Sequence, residues 1–473
     1  MSFDTWTFAA FFAVVFGVYW LPLPWRAKKL HLLVSSYLFY AAWNPPFVLL
    51  LVLSTIVDAW VARRIDALPD GGRRRAFLFA SLAVNLGLLG YFKYGGFLLV
   101  SLRDGLGQLG LAWAPPVWDV VLPVGISFYT FQTLSYTLDV YLRRSRAWSS
   151  TLDFAVYVSF FPQLVAGPIV RSSHFLPQLE KAPRFCGGRL GWGLSLFLVG
   201  LFQKKVLADA WFAPQADRLF AASGVLPTAL DAWCGTLAFA GQIFCDFAGY
   251  STCAIGLAMT MGFELPDNFR RPYGAIGFSD FWRRWHLSLS FWLRDYLYIP
   301  LGGNRDSAAR TYRNLMVVML LGGLWHGAAW TFVAWGGLHG ALLVLERVVV
   351  RRFGAWRISG HRATRLALWI LTLAGVLLTW VPFRARSFAQ TQETFRAMFA
   401  GDQGVARLTQ DGALVAAALG LLLVAVHRLT RERSLESIVA KLPWWLWSFA
   451  LAAMAFALLL HPGEDRAFIY FQF

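Results

Sequence analysis

The 473-residue chain has few cysteines and few charged residues, and both shortages restrict its class. None of its four cysteines stands in a C-x-x-C pair, so neither a disulfide framework nor a zinc site is indicated. Charged residues make up 15% of the chain and hydrophobic residues 58%, whereas soluble domains are about 45–50% apolar. The composition excludes an ordinary soluble domain and favours a helical membrane protein.

Acidic residues are also scarce, and the excess of Lys and Arg gives a formal net charge of +17. In a soluble protein such an excess would suggest nucleic-acid binding. Here the arginines stand in short loops between apolar runs, as membrane topology requires. We therefore expect membrane lipid around the chain and no nucleic-acid partner.

Several catalytic motifs are missing as well. The chain has no G-x-S-x-G elbow, no Walker A loop, and no H-E-x-x-H or Cys/His cluster. We predict no metal site. The absences favour chemistry in which a histidine base activates an incoming hydroxyl without a serine intermediate.

Long apolar runs dominate what is present, and several exceed about 18 residues, enough to cross a bilayer. We predict an all-α polytopic membrane protein with about 10–12 transmembrane helices. Pro162 and Gly167-Pro168 predict a re-entrant segment, and residues 268–312, which mix arginines with aromatics, predict interfacial helices. Residues 1–473 are predicted to form a single integral-membrane domain. Aromatic residues reach 17%, and we expect many to line a central tunnel.

Basic clusters predict the topology. Arg26, Lys28 and Lys29 precede one predicted helix pair, and Arg73 to Arg75 follow it, so both clusters share one side of the membrane. The positive-inside rule makes that side cytoplasmic. The N-terminus, which lacks the features of a cleavable signal, and the C-terminal tail, residues 462–473, are then extracytoplasmic.

Two histidines are the main candidates for chemistry. His326 lies in the apolar run of residues 315–344, and an ionisable side chain at membrane depth is a functional candidate. His286 lies forty residues earlier, among Trp and Arg. Such a pair can supply a base for a hydroxyl and a polarising group for a carbonyl. The alternative is that each ring only packs and bonds backbone. On one continuous helix His339 would face about 140° away from His326, so it is the weaker candidate.

Neighbouring side chains are candidates for binding a donor or lining a tunnel: Arg283, Arg284, Trp285, Trp325 and Asp246. Arginines suit a phosphate-bearing coenzyme, although arginines of a membrane-surface helix can equally meet lipid headgroups. Asp246 is costly at membrane depth unless paired, and an Asp–Arg pair that fixes helix positions is the alternative to orienting a histidine.

These stretches together resemble the membrane-bound O-acyltransferase family. The matching segments are LPVGISFYTFQ, FFPQLVAGPI, QIFCDFAGYS, NFRRPY, FWRRWHLSLSFWLRDYLYIPLGGN, GLWHGAAWTFVAWGGLHG and the final FIYFQF. The resemblance is to the branch that O-acetylates alginate and other bacterial exopolysaccharides. It implies a helical bundle around a tunnel, with residues 120–345 as the catalytic core. The family's active-site histidine falls on His326 and its second histidine on His286.

For that branch the resemblance implies acetyl-CoA as the donor substrate, no permanently bound cofactor, and a periplasmic SGNH-type acetyltransferase as partner. The expected location is the bacterial inner membrane. Other acceptors, such as cellulose, peptidoglycan or a lipid-linked sugar, remain open. So do two other classes: a transporter or flippase, and a non-catalytic scaffold of an export complex.

The tail carries a last candidate, Tyr470. The final segment resembles the end of the small accessory peptide of the D-alanylation system, where a tyrosine is proposed to carry the acyl group. A tyrosine hydroxyl can form an acyl ester if a base removes its proton. The alternatives are an interfacial anchor and docking to a partner.

Overall fold

The computed structural model describes residues 1–221, 224–352, 362–399 and 404–461, together with Arg466, Phe468 and Ile469. Every regular element in these ranges is a helix, and the predicted all-α class is confirmed. Contacts between Cα atoms divide the chain into two compact units. The first comprises Met1–Phe197 and Cys253–Pro266, and the second comprises Leu198–Thr252 and Asp267–Phe473.

The first twelve α-helices take up the chain as far as Thr260. They are α1 (Trp6–Tyr19), α2 (Trp25–Ala41), α3 (Val48–Ala67), α4 (Gly72–Leu89), α5 (Gly95–Gln108), α6 (Ile126–Tyr141), α7 (Thr151–Ser159), α8 (Phe161–Leu164), α9 (Ser172–Phe175), α10 (Gly187–Leu201), α11 (Ala213–Ala221) and α12 (Ala229–Thr260). The segments Gly90–Tyr94 and Phe202–Phe212 are π-helical.

The remaining helices follow a mostly irregular stretch that reaches Gly277. They are α13 (Phe278–Trp282), α14 (Leu287–Leu293), α15 (Ala308–His326), α16 (Trp330–Arg352), α17 (Arg362–Arg384), α18 (Phe388–Phe399), α19 (Gln410–Leu429), α20 (Leu435–Val439) and α21 (Trp444–Leu460). Hydroxyl side chains cap several of them; Ser307, for example, accepts the N–H of Arg310 at the start of α15.

Seven helical segments of the described ranges are long and apolar enough to cross a bilayer. They are Pro45–Ala67, Gly72–Gln108, Gly187–Ala221, Ala229–Thr260, Trp330–Arg352, Arg362–Arg384 and Gln410–Leu429. Two shorter apolar helices, α1 and α21, add to these. The chain is therefore a multi-pass membrane protein, whereas the number of crossings and the side of each terminus stay predictions.

In the first unit, proline and glycine interrupt the helices where the sequence indicates. After α7 the chain forms only the short helix α8 and then an irregular stretch through Gly167-Pro168, all of it buried. Gly125 immediately precedes α6 and has φ at +75°, and a Cβ there would lie 2.7 Å from the carbonyl oxygen of Leu164. Only glycine fits that position without strain. The broken backbone is thus covered by protein, as a re-entrant segment would require.

A buried carboxylate joins three helices of the same unit. Asp58 on α3 is fully buried and accepts hydrogen bonds from Ser81 and Asn85 on α4 and from Thr137 on α6. A polar group that has no water nearby must be satisfied by protein donors. Asp58 therefore ties α3, α4 and α6 together.

In the second unit an aromatic cluster forms the interior. Trp285, Trp335 and Trp380 are all fully buried; the ring centroids of Trp285 and Trp380 lie 5.0 Å apart, and those of Trp335 and Trp380 lie 6.0 Å apart. Large rings supply much apolar burial for little loss of rotamer freedom. The candidate site lies at the edge of this cluster.

Candidate active site

His286 occupies the residue just before α14 in a strained backbone conformation, with φ at +43°. Its side chain is fully buried, and its Nδ1 accepts the N–H of Leu289 at 3.4 Å. That bond assigns the proton of a neutral ring to Nε2. Burial lowers the pKa of the His286 imidazole below its ordinary value. Burial therefore favours the neutral form of the ring at neutral pH.

Asn268 binds the two residues that follow His286 in the chain, Leu287 and Ser288. Its side-chain oxygen accepts the N–H of Ser288 at 3.3 Å and the hydroxyl of Ser288 at 2.9 Å. Its backbone oxygen accepts the N–H of Leu287 at 2.9 Å, and its amide nitrogen donates to Ser251 at 3.2 Å. Strained backbone persists where its surroundings over-determine it. These bonds hold the strained turn that orients His286.

His326 is the last residue of α15, and the chain turns through residues 327–329 before α16 begins at Trp330. The apolar run of residues 315–344 is therefore two helices packed against each other, not one continuous helix. The backbones of the two helices approach each other closely. A Cβ on Gly323 would lie 2.2 Å from the carbonyl oxygen of Phe332, and a Cβ on Gly336 would lie 2.2 Å from the carbonyl oxygen of Met319. Glycines permit this approach, and His326 lies at the tip of the resulting hairpin.

The fold brings the two predicted histidines together. The ring centroids of His286 and His326 lie 6.2 Å apart, and the indole of Trp325 lies 5.7 Å from His286 and 5.1 Å from His326. His326 is 2% exposed, and Trp335 and Phe383 pack against its ring at 5.0 and 5.5 Å. Two buried imidazoles within an aromatic cage can divide the roles of base and orienting or polarising group between them.

His339 lies outside this pair. Its Nε2 is 2.9 Å from the hydroxyl of Thr379, and its ring stacks on Phe281 and packs against Trp282. Trp335 separates it from His326, since it contacts both rings. His339 is thus a packed core residue, and its sequence position already made it the weaker candidate for chemistry.

The predicted tryptophans have different surroundings. Trp325 lines the histidine pair directly, as described above. Trp285 instead packs on Phe269 and Trp380 at 5.0 Å each and stacks on Phe281, deep in the aromatic cluster. Trp325 therefore contacts both histidine rings, whereas Trp285 packs beneath the segment that carries His286, and a role of either in donor binding stays a prediction.

The two predicted arginines also differ. Arg284 is engaged by Asp280 and Glu432, both at 3.0 Å, and by the carbonyl of Arg431 at 2.9 Å. Burial alone would raise the pKa of the Asp280 carboxyl, but the N–H of Ile276 and the guanidinium groups of Arg431 and Arg284 together lower it. This network occupies the guanidinium of Arg284 with protein partners.

Arg283, in contrast, is exposed, and its guanidinium makes no hydrogen bond or ion pair within the described ranges. It lines a cleft of about 530 Å³ together with Asn304, Tyr312, Arg347 and Arg351. Two carboxylates also line it: Asp306 pairs with Arg310 at 3.0 Å, and Glu346 accepts the N–H of Ser279 at 3.1 Å. The three arginines leave a net positive charge in the cleft, which suits an anionic ligand. Donor binding by Arg283 and Arg284 stays a prediction, and only the surroundings of Arg283 favour it.

Asp246 on α12 is buried and pairs with the ammonium of Lys204 at 2.6 Å, so the expected partner is a lysine instead of an arginine. Its other oxygen accepts the backbone N–H of Ile469 at 2.8 Å. Asp246 therefore contacts the C-terminal tail. Tyr470 itself lies outside the described residues. Within the described ranges no group of three or more His, Cys, Asp or Glu residues could hold a metal ion.

Sequence reasoning missed four residues of this site: Asn268, Phe247, Lys204 and Phe468. Lys204 carries a usable signal, since it is an ionisable residue inside an apolar run just as Asp246 is. Asn268 stands beside an apolar segment, but its four bonds depend on backbone geometry that no spacing reveals. Phe247 and Phe468 are ordinary aromatics in sequence, and only the fold places Phe247 against His286 and Phe468 against Phe247.

These features define a class: a multi-pass helical membrane protein with a buried pair of histidines, one of them at the tip of a glycine-packed helix pair. Residues 126–379 match the model of MBOAT, the membrane-bound O-acyltransferase family. The chain belongs to this family, and the resemblance drawn from its motifs is confirmed.

Relatives of known description agree with the family. The protein named "Probable alginate O-acetylase AlgI" of Pseudomonas aeruginosa is 42% identical over 393 residues, which cover 82% of this chain and 73% of the relative. The "Peptidoglycan O-acetyltransferase" of Helicobacter pylori is 37% identical over 398 residues, 78% of this chain and 73% of the relative. The "Teichoic acid D-alanyltransferase" of Streptococcus thermophilus is 30% identical over 250 residues, 48% and 58%.

All three relatives are named for moving an acyl group. Together with the family match, they make this chain an O-acyltransferase of the membrane. The classes of transporter and non-catalytic scaffold, both open on sequence alone, are therefore set aside.

Proposed function

We propose that the chain O-acetylates a bacterial exopolysaccharide of the alginate type. It takes acetyl from cytoplasmic acetyl-CoA and passes it across the inner membrane to a periplasmic acetyltransferase of the SGNH type. Both termini face the periplasm in this scheme, and no cofactor stays bound. The alginate O-acetylase named above, 42% identical to this chain, supports the acyl group and the acceptor.

The observation that carries the proposal is the histidine pair, with ring centroids 6.2 Å apart in an aromatic cage. His326 acts as the base in this scheme, and His286 orients the acceptor or the thioester carbonyl. A neutral imidazole takes a hydroxyl proton as the oxygen attacks. The surrounding Trp and Phe rings exclude water, which would otherwise hydrolyse the thioester.

The transfer balances without a metal or a redox partner. A hydroxyl gives its proton to His326, and its oxygen bonds to the carbonyl carbon of the thioester. The carbon–sulfur bond breaks, and the coenzyme A sulfur leaves as a thiolate that takes the proton from the imidazole. In this scheme the hydroxyl is that of Tyr470, and a second transfer of the same kind moves acetyl from the tyrosine ester to the partner.

The cleft at Arg283 is the proposed site for the phosphates of the donor. Arg283, Arg347 and Arg351 line it, and Arg351 belongs to the basic end of α16 that the positive-inside rule makes cytoplasmic. Trp282, next to Arg283, packs on Trp335 at 5.8 Å, and Trp335 contacts His326 at 5.0 Å. The cleft and the histidine site are therefore joined by directly packed side chains.

The test is His326→Ala in a strain that secretes the polymer. Loss of a general base lowers transfer by about 10²–10⁴-fold, so polymer-bound acetyl should fall by at least 10²-fold at equal membrane abundance. His286→Ala should also be impaired, and its affinity for acetyl-CoA separates donor positioning from proton transfer. His174→Ala, at an exposed histidine, is the matched control and should acetylate normally. Polymer acetylation near the wild-type level in His326→Ala would contradict the base role.

One other acceptor has support, since the Helicobacter pylori relative is named for peptidoglycan. Purified exopolysaccharide and purified peptidoglycan from the same wild-type and His326→Ala strains distinguish the two. Acetyl esters that disappear only from peptidoglycan would place the acceptor there and contradict an exopolysaccharide.

A further inference from the structure

The described part of the C-terminal tail is attached to the second unit at three points. The guanidinium of Arg466 pairs with Asp217, whose other carboxylate oxygen accepts from Arg384 at 2.7 Å. The Phe468 side chain is buried, and the N–H of Ile469 donates to Asp246 at 2.8 Å. We call Arg466, Phe468 and Ile469 the docked tail.

The carboxylate that holds Ile469 belongs to a buried cluster of charges. The ammonium of Lys204 lies 2.6 Å from one oxygen of Asp246 and 2.9 Å from Asp209, and 3.4 Å from the backbone oxygen of Arg466. A buried charge needs partners of opposite sign. Lys204 is such a partner for Asp246. Because its ammonium holds one carboxylate oxygen, the other oxygen is directed toward the N–H of Ile469. The bond to Ile469 uses backbone, so it sets the register of the tail regardless of side chain.

Phe247 connects the docked tail to the histidine site. It follows Asp246 on α12, and its ring lies 5.5 Å from Phe468 and 4.7 Å from His286. Tyr250 lies about one turn further along α12, and the centroid of its ring lies 5.2 Å from that of Phe468. A single turn of α12 therefore contacts both the tail, through Asp246 and Phe247, and the ring of His286.

We propose that Asp246 is a positioning residue that holds the docked tail in register on α12, at the turn whose Phe247 contacts His286. Lys204 keeps the carboxylate in place, and Phe247 fixes the distance between tail and imidazole. This role rests on the proposed acetyl transfer through the tail. It does not make Asp246 a catalytic residue, because its carboxylate acts through the tail backbone.

The experiment measures tail docking and transfer separately on the purified full-length chain. Hydrogen exchange with mass spectrometry follows the peptide that ends at the C-terminus. Asp246→Leu removes the acceptor at similar volume and should speed exchange of the tail amides at least ten-fold. In the acetyl-CoA-dependent assay kcat should fall at least ten-fold while KM for acetyl-CoA stays within two-fold. Asp246→Asn keeps one acceptor oxygen and should be intermediate.

Two controls separate docking from the stability of the charge cluster. Asp209→Asn removes a carboxylate from the same lysine but makes no described contact with the docked tail, so exchange and kcat should stay within two-fold of wild type. Ile469→Pro removes the N–H that donates to Asp246 and should have the same effects on exchange and kcat as Asp246→Leu. Ile469→Ala keeps this N–H, so the tail should stay docked.

Three outcomes would overturn the proposal. Tail exchange unchanged in both Asp246→Leu and Ile469→Pro would show that Asp246 does not hold the tail. Equal effects in Asp209→Asn and Asp246→Leu would assign the effect to the cluster alone. A loosened tail with unchanged kcat would remove the positioning role and leave docking. If the wild-type chain transfers no acetyl, the proposed function fails, but the exchange measurement still decides the docking.

Discussion

The close packing of α15 on α16 makes a sharp prediction at two adjacent glycines. In Gly336→Ala the new Cβ would lie 2.2 Å from the backbone oxygen of Met319, whereas a carbon–oxygen contact needs about 3.3 Å. Backbone cannot rotate away as a side chain can, so the two helices must separate by about 1 Å. A Cβ added at the next residue, Gly337, would meet only the Cδ2 atom of the Leu320 side chain, at the ordinary contact distance of 3.4 Å.

The expected sizes follow from these contacts. Overpacking costs about 1–3 kcal/mol, and replacing Gly by Ala within a helix returns up to about 1 kcal/mol. Gly336→Ala should therefore lose about 0–3 kcal/mol of stability, and Gly337→Ala should be neutral or gain up to about 1 kcal/mol. Trp335 precedes Gly336 and packs on His326 at 5.0 Å, so the displacement moves the cage of the base. A misplacement of about 1 Å can lower a rate by about 10²-fold.

The assay compares acetyl transfer by the two variants at equal membrane abundance, with thermal melting in detergent as a second readout. Gly336→Ala should lose about 10-fold to 10²-fold in transfer while a folded fraction remains. Gly337→Ala should transfer as wild type does. Equal transfer by both variants would refute the claim that the approach of the two helices sets the position of His326.

Three further predictions concern single side chains. Because burial lowers the pKa of His286, the folded ring stays neutral while the unfolded ring takes up a proton near pH 6.5, so stability is lost as the pH falls. Between pH 7.5 and 5.5 this loss is about 1.4 kcal/mol, and His286→Gln should reduce the wild-type decrease by that amount; an unchanged decrease would contradict a buried neutral ring. Tyr470→Phe should abolish polymer acetylation, and mass spectrometry of the wild type should find acetyl on Tyr470; full acetylation by the variant would exclude the carrier role and leave docking intact. Arg283→Gln should raise KM for acetyl-CoA several-fold with little change in kcat, whereas Arg352→Gln, outside the cleft, should change neither; an unchanged KM would remove Arg283 from donor binding.

The helical class and the membrane setting were determined by the sequence alone. Apolar runs of spanning length have few arrangements open to them, because backbone in a bilayer must satisfy its own hydrogen bonds. The helix breaks near Gly125 and Pro162 follow from local chemistry as well, since proline lacks an N–H and glycine permits positive φ. His326 could be selected as a candidate because ionisable groups are rare in such runs, whereas His286 was selected from its Trp and Arg neighbours and the family resemblance.

Only the tertiary structure decided how these residues meet. His286 and His326 are forty residues apart in sequence, and their closeness depends on the turn after α15 and on the bonds of Asn268. The apolar run of residues 315–344 is a hairpin of two helices, in which Gly323 and Gly336 let two backbones pack closely. Arg283 and Arg284 look alike in sequence, but acidic partners engage one and leave the other on a cleft. Charge pairing of this kind acts across space, so a linear pattern carries no record of which partner each arginine takes.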